Sequence, residues 1–397
     1  MRELTVSAVE VEAVRGPRPP SQPHQSQVQP LHLYPEHRPG AAAPRPASDQ
    51  MESLYLRIST EQGPEGFYGP IDREAAWPIV DSLAGFLIGE DALASTIIWD
   101  KLQRRDRHAR HGYLKMAISA IDIALWDLRG KAFDAPVWQL LGGTSRRRIP
   151  AYASTLGTAH DPATVESVAT GLAKEGYRAQ KWFLAYGPGD GWDGMARNIA
   201  LVEQLRGLLG TGAQLMFDAY MGWDLAYAKL WTQQVAHLHP TWLEEPFPVG
   251  QYPMFAELHR NTTIPLATGE HTYDRSDVLR FLQDGSLGVV QADPEWCGGV
   301  TELVRICALA DSYGIPVIPH GHGVHTTVHV IGSQSPGTCP MAEYLLRVMP
   351  TRYHFEVEPL APTDGHFELP TTPGFGIELD DNKIRERGPW VPTRPAD

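Results

Sequence analysis

Three carboxylates stand at equal intervals in the chain. Asp218 closes the run QLMFD, Glu244 closes TWLE and Glu270 closes PLATGE, each 26 residues from the next. Each ends a short apolar run of strand character, so one strand-and-helix unit separates neighbours. In a parallel α/β barrel the reacting groups sit at the C-terminal ends of the strands, and three acids on successive strands then converge. Uncompensated, they would repel strongly in a low-dielectric mouth. A hard divalent cation removes the repulsion, and three carboxylates with water or substrate oxygens completing an octahedron describe Mg²⁺. Glu245 is the adjacent rival to Glu244, and strand alternation turns it elsewhere.

The next two units carry a second pair. Asp293 follows the run Gly288–Gln291, and His320 follows Ile315–Ile318, 27 residues further on. Neighbouring strand ends place an imidazole beside a carboxylate, which fixes the tautomer and raises the basicity of the ring, as a general base needs. His322, two residues on, is the rival base. Together these residues imply proton abstraction next to a carboxylate. Mg²⁺ charge stabilises an enediolate, His320 takes the α-proton, and a β-hydroxyl, where present, leaves as water to give a 2-keto-3-deoxy acid.

The elements that must position these groups are legible from Ile149 onward. Eight apolar runs alternate with amphipathic helices: Ile149–Ser154, Arg178–Leu184, Gln214–Phe217, Trp242–Leu243, Ile264–Ala267, Gly288–Gln291, Ile315–Ile318 and Met341–Tyr344. Repeated βα units, eight in number, predict a TIM-type barrel. Before them lies an α+β unit. Residues 4–14 alternate as a strand, Ser53–Thr60 and Gly66–Tyr68 flank a hairpin turn at EQGPE, and helices cover about 73–88, 92–104 and 112–132. Residues 16–50, rich in Pro, Gln, Ala and His, read as a long loop of the kind that serves as a lid. The domain expectation is an α+β capping domain over 1–145 with that loop over the site, a β/α barrel over 146–358, and a segment over 359–397 that packs back on the capping domain.

Composition sets outer limits. The formal charge of −13 repels nucleic acid and anionic membranes, so no nucleic-acid or membrane partner is expected. An acid substrate then needs a local cation. Cys297, Cys307 and Cys339 form no disulfide framework and suit a reducing cytoplasm. No signal-peptide-like apolar run opens the sequence and no run reaches membrane-spanning length, so the expectation is a soluble, cytoplasmic protein.

The strings IDIALWDLRGKAFDAPVWQLLGG, LMFDAYMGWD, WLEEPFP, PLATGEHTY and IPHGHG resemble the mandelate racemase subgroup of the enolase superfamily, and within it most closely the L-rhamnonate dehydratases. The resemblance covers nearly the whole chain and implies a modified (β/α)7β barrel with an α+β cap. It maps a magnesium triad onto Asp218, Glu244 and Glu270, and a base dyad onto His320 and Asp293. It also maps a strand-eight acid that binds or polarises the substrate carboxylate onto Glu343, 23 residues after His320. Many members carry Lys-x-Lys on the second strand; here QKWF puts Lys181 in the first place and Phe183 in the second. Phe183 cannot accept a proton, which disfavours two-base racemisation and leaves one-base dehydration open. Lys181 is the local cation for the carboxylate.

His271, directly after Glu270, is a candidate for a substrate hydroxyl or the leaving group, and Tyr220 and Trp223 for lining the pocket. The family's capping loops carry a His and an Arg that set sugar preference. His32, His37, Arg38 and Arg45 are the candidates here, with His37 and Arg45 carried forward. The resemblance also implies a homo-oligomer, an octamer among the options. The leading expectation is a hydro-lyase acting on L-rhamnonate or a related aldonate. The alternatives are an epimerase, racemase or cycloisomerase, whose base at 183 is missing, and a non-catalytic sugar-acid-binding barrel.

Overall fold

A computed structural model of the chain describes residues 3–20, 24–38 and 48–392. The first strands form an antiparallel sheet: β1 (Val6–Pro17), β2 (Gln50–Thr60) and β3 (Glu65–Ile71). The barrel strands come next: β4 (Arg148–Ser154), β5 (Ala179–Phe183), β6 (Gln214–Asp218), β7 (Trp242–Glu244), β8 (Leu266–Thr268), β9 (Val289–Val290) and β10 (Ala342–Leu345). Two short strands close the chain, β11 (His366–Glu368) and β12 (Glu386–Pro389).

The parallel strands form one curled sheet in the order β10-β4-β5-β6-β7-β8-β9. This is a TIM-type barrel whose helices alternate with its strands. Its interior is filled by Tyr152, Ala179, Met216, Trp242, Ala267 and Val289, one side chain each from β4 to β9, with Ile318, all buried, and by the partly buried Met341 just before β10. The run Ile315–Ile318 is a correction to the eight expected strands. It makes only a single bridge, Val317 to Val290. Pro316 lies within it and Pro319 directly follows it, and proline has no N–H to donate to a ladder. Val317 N still reaches Thr338 O at 2.7 Å, across the gap toward β10.

The capping sheet has the order β12-β1-β2-β3. β1 extends to Pro17, so the expected loop starts inside a strand, and two 3-10 turns at Pro30–Leu33 and Pro35–His37 give structure to part of the segment beyond it. The C-terminal stretch serves both sheets: β11 pairs antiparallel with β4 of the barrel, and β12 with β1 of the cap.

The helix Gly112–Ala132 ties the two together. Its stripe of Ile118, Ile121, Leu125 and Leu128 is fully buried. Two buried aspartates on it are spent on backbone amides. Asp127 accepts from Phe67 N at 2.8 Å and Phe375 N at 2.9 Å, and Asp122 accepts from Thr301 N at 2.9 Å. No helix among the described residues is long and apolar enough to cross a membrane.

The helix Val324–Ser333 carries a buried histidine whose charge state bears on stability. Trp138 N donates to His329 Nδ1 at 3.2 Å, and Nε2 has no partner among the described residues. Burial, with the charge of His325 adding to it, pulls His329 from its ordinary 6.5 to about 3. In the folded chain the ring therefore stays neutral while the unfolded chain takes up a proton below pH 6.5. This contribution to stability is present in full above that pH and drains away as pH falls toward 3. At pH 5 the loss is about 2 kcal/mol. Wild type is expected to lose about that much more stability than His329→Asn between pH 7 and pH 5 in urea unfolding; equal losses would rule out the buried neutral ring.

Candidate active site

The strand register brings the acids together. Phe183 on β5 lies beside Asp218 on β6, and Asp218 beside Glu244 on β7. Side chains opposite each other in register share a face, so Lys181, Asp218 and Glu244 all enter the barrel mouth. Glu270 follows β8 after Gly269, whose φ of 143° turns the chain where a Cβ would meet the backbone of Gln291 at 2.7 Å. All four side chains are buried.

Lys181 is the hub. Its Nζ pairs with Glu244 Oε1 in direct contact, lies 2.8 Å from Glu343 Oε1 and 3.5 Å from Asp218 Oδ2. Glu343 sits within β10, not past its end, and accepts from Gly321 N at 2.9 Å. The far oxygen of Glu244 accepts from Trp242 Nε1 at 2.9 Å and Gln291 Nε2 at 2.7 Å. Among the described residues Asp218 accepts only from Tyr220 N, at 2.8 Å, apart from the longer approach of Lys181. Glu270 has His271 Nδ1 at 3.5 Å and His320 Nε2 at 3.6 Å, and no closer side-chain partner among the described residues. Lone pairs of Asp218 and Glu270 thus face the cavity unspent.

The dyad forms as a hydrogen bond. His320 Nδ1 lies 2.9 Å from Asp293 Oδ2. Asp293 is fixed in turn, because its Oδ1 accepts from Glu295 N at 2.7 Å at the start of a short helix. This leaves His320 Nε2 on the Glu270 side, toward the cavity. The His322 ring pairs instead with Glu295, Nδ1 to Oε2 at 2.5 Å, while its backbone N donates to Asp293 Oδ2 at 3.3 Å.

Charge balance explains the proton affinities. Burial, then the neighbouring Glu244, hold the Asp218 carboxyl well above the carboxylate range despite Lys181. Burial pushes Glu270 up to about 7 against the pull of His320. Burial alone would lower His320, but Glu270, the Asp293 hydrogen bond and Glu343 together push it up to about 10. Burial works against the Glu343 charge, yet Lys181 and His320 pull it down to about 2. The acids outnumber the cations, and the hard, buried oxygen donors of Asp218, Glu244 and Glu270 fit a divalent ion such as Mg²⁺.

A cavity of about 170 Å³ opens onto Lys181, Asp218, Glu270, His271 and His320, with Phe183 and Tyr220 in its wall. Tyr220 turns into place at φ 40° and meets the His271 ring edge-on at 6.2 Å. Other expected residues are not brought there. His37 is exposed on the second 3-10 turn and does not line the cavity, because the prolines at 30 and 35 curl this stretch along the outside of the mouth. Arg38 folds back to His32 O at 3.0 Å, and Trp223 Nε1 is taken by Tyr186 O at 2.9 Å. Arg45 lies outside the described residues.

Two functional candidates, Trp296 and Gln27, escape a reading of the sequence, and a third, Glu245, is set aside by it as the rival to Glu244. Glu245, at φ 40° just beyond β7, turns its carboxylate to His271 Nδ1 at 3.1 Å, and its oxygens lie within 4.8 Å of potential ligand atoms on Glu270 and His271. Burial would lower His271, but the Glu245 partnership pushes it up to about 9. Trp296 is a plate with ring centroids 5.1 Å from His320, 5.1 Å from His322 and 5.7 Å from His271. The doubled glutamate of WLEEP is a visible signal for Glu245, whereas Trp296 has none. Gln27, from the capping loop, lines the cavity.

Both halves of the chain match known families. A model described as Enolase C-terminal domain-like covers residues 163–383, and the Mandelate racemase / muconate lactonizing enzyme, N-terminal domain covers residues 37–142. An L-rhamnonate dehydratase of Saccharopolyspora erythraea is 33% identical over 362 residues, 88% of each chain. The crystal structure of L-rhamnonate dehydratase from Gibberella zeae has a TM-score of 0.84 at 26% identity and covers 99% of both chains. A racemase from Streptomyces coelicolor A3(2) with bound magnesium has a TM-score of 0.78 at 27% identity, over 96% of this chain and 98% of that one. Matched through cap and barrel alike, the chain belongs to the mandelate racemase and muconate lactonizing enzyme family of the enolase superfamily.

Proposed function

We propose that the protein is a hydro-lyase that dehydrates a sugar acid, L-rhamnonate or a related aldonate, to its 2-keto-3-deoxy acid. The observation that carries this reading is the shared cavity in which His320, backed by Asp293 at 2.9 Å, faces the carboxylates Asp218 and Glu270. The dehydratase relative at 33% identity supports the substrate class.

Asp218, Glu244 and Glu270 are the residues that would hold Mg²⁺, as the magnesium-bound racemase neighbour supports. Bound there, the ion supplies the positive charge that stabilises an enediolate. Lys181, charged and buried, adds a fixed cation for the substrate carboxylate. His320, kept protonated while the charges of Glu270 and Glu343 are uncompensated, would release that proton once Glu270 is engaged as a ligand, and its Nε2 then removes the α-proton. The electron pair of that C–H bond passes through the enediolate and expels the β-hydroxyl, and the proton on His320 goes to the departing oxygen, which leaves as water. The resulting enol takes a proton at the β-carbon as its hydroxyl gives one up, and becomes the 2-keto-3-deoxy acid. Phe183, with Lys181 Nζ 5.4 Å from its ring centroid, offers no base from the opposite face, which favours this one-base course over racemisation.

The test is a screen of purified protein with Mg²⁺ against an aldonate library, with detection of 2-keto-3-deoxy products. Turnover of L-rhamnonate or a close relative is expected, and EDTA is expected to stop it until Mg²⁺ is returned. Exchange of the α-proton in D₂O without loss of water would point to an epimerase. No exchange and no product with any member would reject the enzyme reading of this site.

A further inference from the structure

Two buried amide oxygens near the mouth, Gln27 Oε1 and Gln291 Oε1, have no partner among the described residues; Gln291 is tied to Glu244 through its amide nitrogen, and Gln27 belongs to the cap. Residues 24–28 of the capping loop lie as a strap across the strand ends of the barrel. Gln25 N donates to Gly157 O at 3.0 Å, Val28 N donates to Leu184 O at 2.9 Å, and His160 N donates to Gln25 Oε1 at 2.9 Å. Two glycines make room for it. A Cβ at Gly222 would stand 2.6 Å, and one at Gly187 2.9 Å, from Val28 Cγ2, and Val28 fills that slot at 2% exposure. His24 seats in the same way against Gly157, where a Cβ would come within 2.3 Å of its Nδ1. The strap is thus fastened on both sides of Gln27.

Gln27 is 6% exposed and lines the cavity that holds Lys181, Asp218, Glu270 and His320. Its Oε1 is unpartnered among the described residues. A buried polar atom without a partner is costly to keep, and a strap fastened on both sides that holds one over a catalytic cavity is organised for something that enters. We propose that Gln27 is the specificity residue of the cap, binding one hydroxyl of the substrate chain. The chemistry is matched. An amide both donates and accepts, as a hydroxyl does, and it carries no charge to compete with Lys181 for the substrate carboxylate. The assignment rests on the proposed function, since it presumes a polyhydroxy acid in the cavity.

Gln27→Met keeps the length of the side chain and removes its polarity. Steady-state kinetics would be measured for wild type and variant on the best aldonate of the screen and on its single-deoxy analogues, with melting temperature and Mg²⁺ binding as folding controls. On the parent substrate kcat/KM is expected to fall about 10- to 100-fold. On the analogue that lacks the bound hydroxyl, wild type is already slow and the variant costs no further loss, as expected of two changes that remove one interaction. Should Gln27→Met not fold, Gln27→Asn, which keeps the amide but withdraws it by one methylene, carries the same comparison. Equal losses on every analogue, or none on the parent, overturn the assignment while the proposed function stands. Absence of wild-type turnover on all aldonates overturns both.

Discussion

His320→Asn is expected to reduce turnover at least about a thousandfold while leaving Mg²⁺ affinity close to wild type. Asparagine keeps a polar group near Asp293 and removes the ring nitrogen placed to take the α-proton. The ring touches none of the three proposed ligands more closely than the 3.6 Å from Nε2 to Glu270, so the carboxylate cluster survives the change. Two readouts separate a lost base from a damaged site. Calorimetric titration with Mg²⁺ should be unchanged, and α-proton exchange into D₂O should vanish together with product. Asp293→Asn is expected to cost less, about a hundredfold, because the imidazole remains but loses the anion that orients it. Near-wild-type rates in His320→Asn would remove the assigned base and promote His322, which already has its own carboxylate, Glu295, at 2.5 Å.

How much of this molecule is legible in its sequence depends on how local each determinant is. The barrel is legible because the inward position of Asp218 or Glu244 depends only on strand alternation and on the recurrence of the βα unit, both of which are short-range patterns. The long helix Gly112–Ala132 is legible for the same reason. The seventh run misleads: an apolar stretch predicts burial, and Ile318 is indeed buried, but Pro316 within the run and Pro319 after it leave it a single bridge. The cap contribution is not legible. Histidines draw attention to His37, whereas cavity access is decided by where the strap is pinned. That depends on Gly157, Gly187 and Gly222, which lie more than a hundred residues away on other loops. Trp296 is hidden for a similar reason, since its tilted ring contacts with three histidines arise only where the short helix Pro294–Cys297 meets the segments carrying His271 and His320–His322.

Lys181→Met is expected to make folding stability depend on Mg²⁺. Lys181 is 1% exposed and is the one lysine or arginine paired with Glu244, Glu343 and Asp218 among the described residues. Removing one partner from a buried ion cluster typically costs about 3–5 kcal/mol, because the charges left behind have been desolvated without compensation. Here three carboxylates are left. In EDTA the variant is expected to melt roughly 4–6 °C below wild type. Two routes relieve the repulsion. The carboxyls can take up protons, which recovers stability as pH falls, or they can gather round a divalent cation, which recovers it at neutral pH. If Asp218, Glu244 and Glu270 are ligands to one ion, Mg²⁺ should raise the melting temperature of Lys181→Met more than that of wild type, since the ammonium no longer occupies an oxygen of Glu244. The same addition to Lys181→Met carrying Asp218→Asn should restore much less. A double variant that responds to Mg²⁺ as fully as the single one would mean that Asp218 is no ligand. A single variant indifferent to Mg²⁺ at millimolar concentration would mean that these acids do not share a cation, and the proposed chemistry would lose its electrophile.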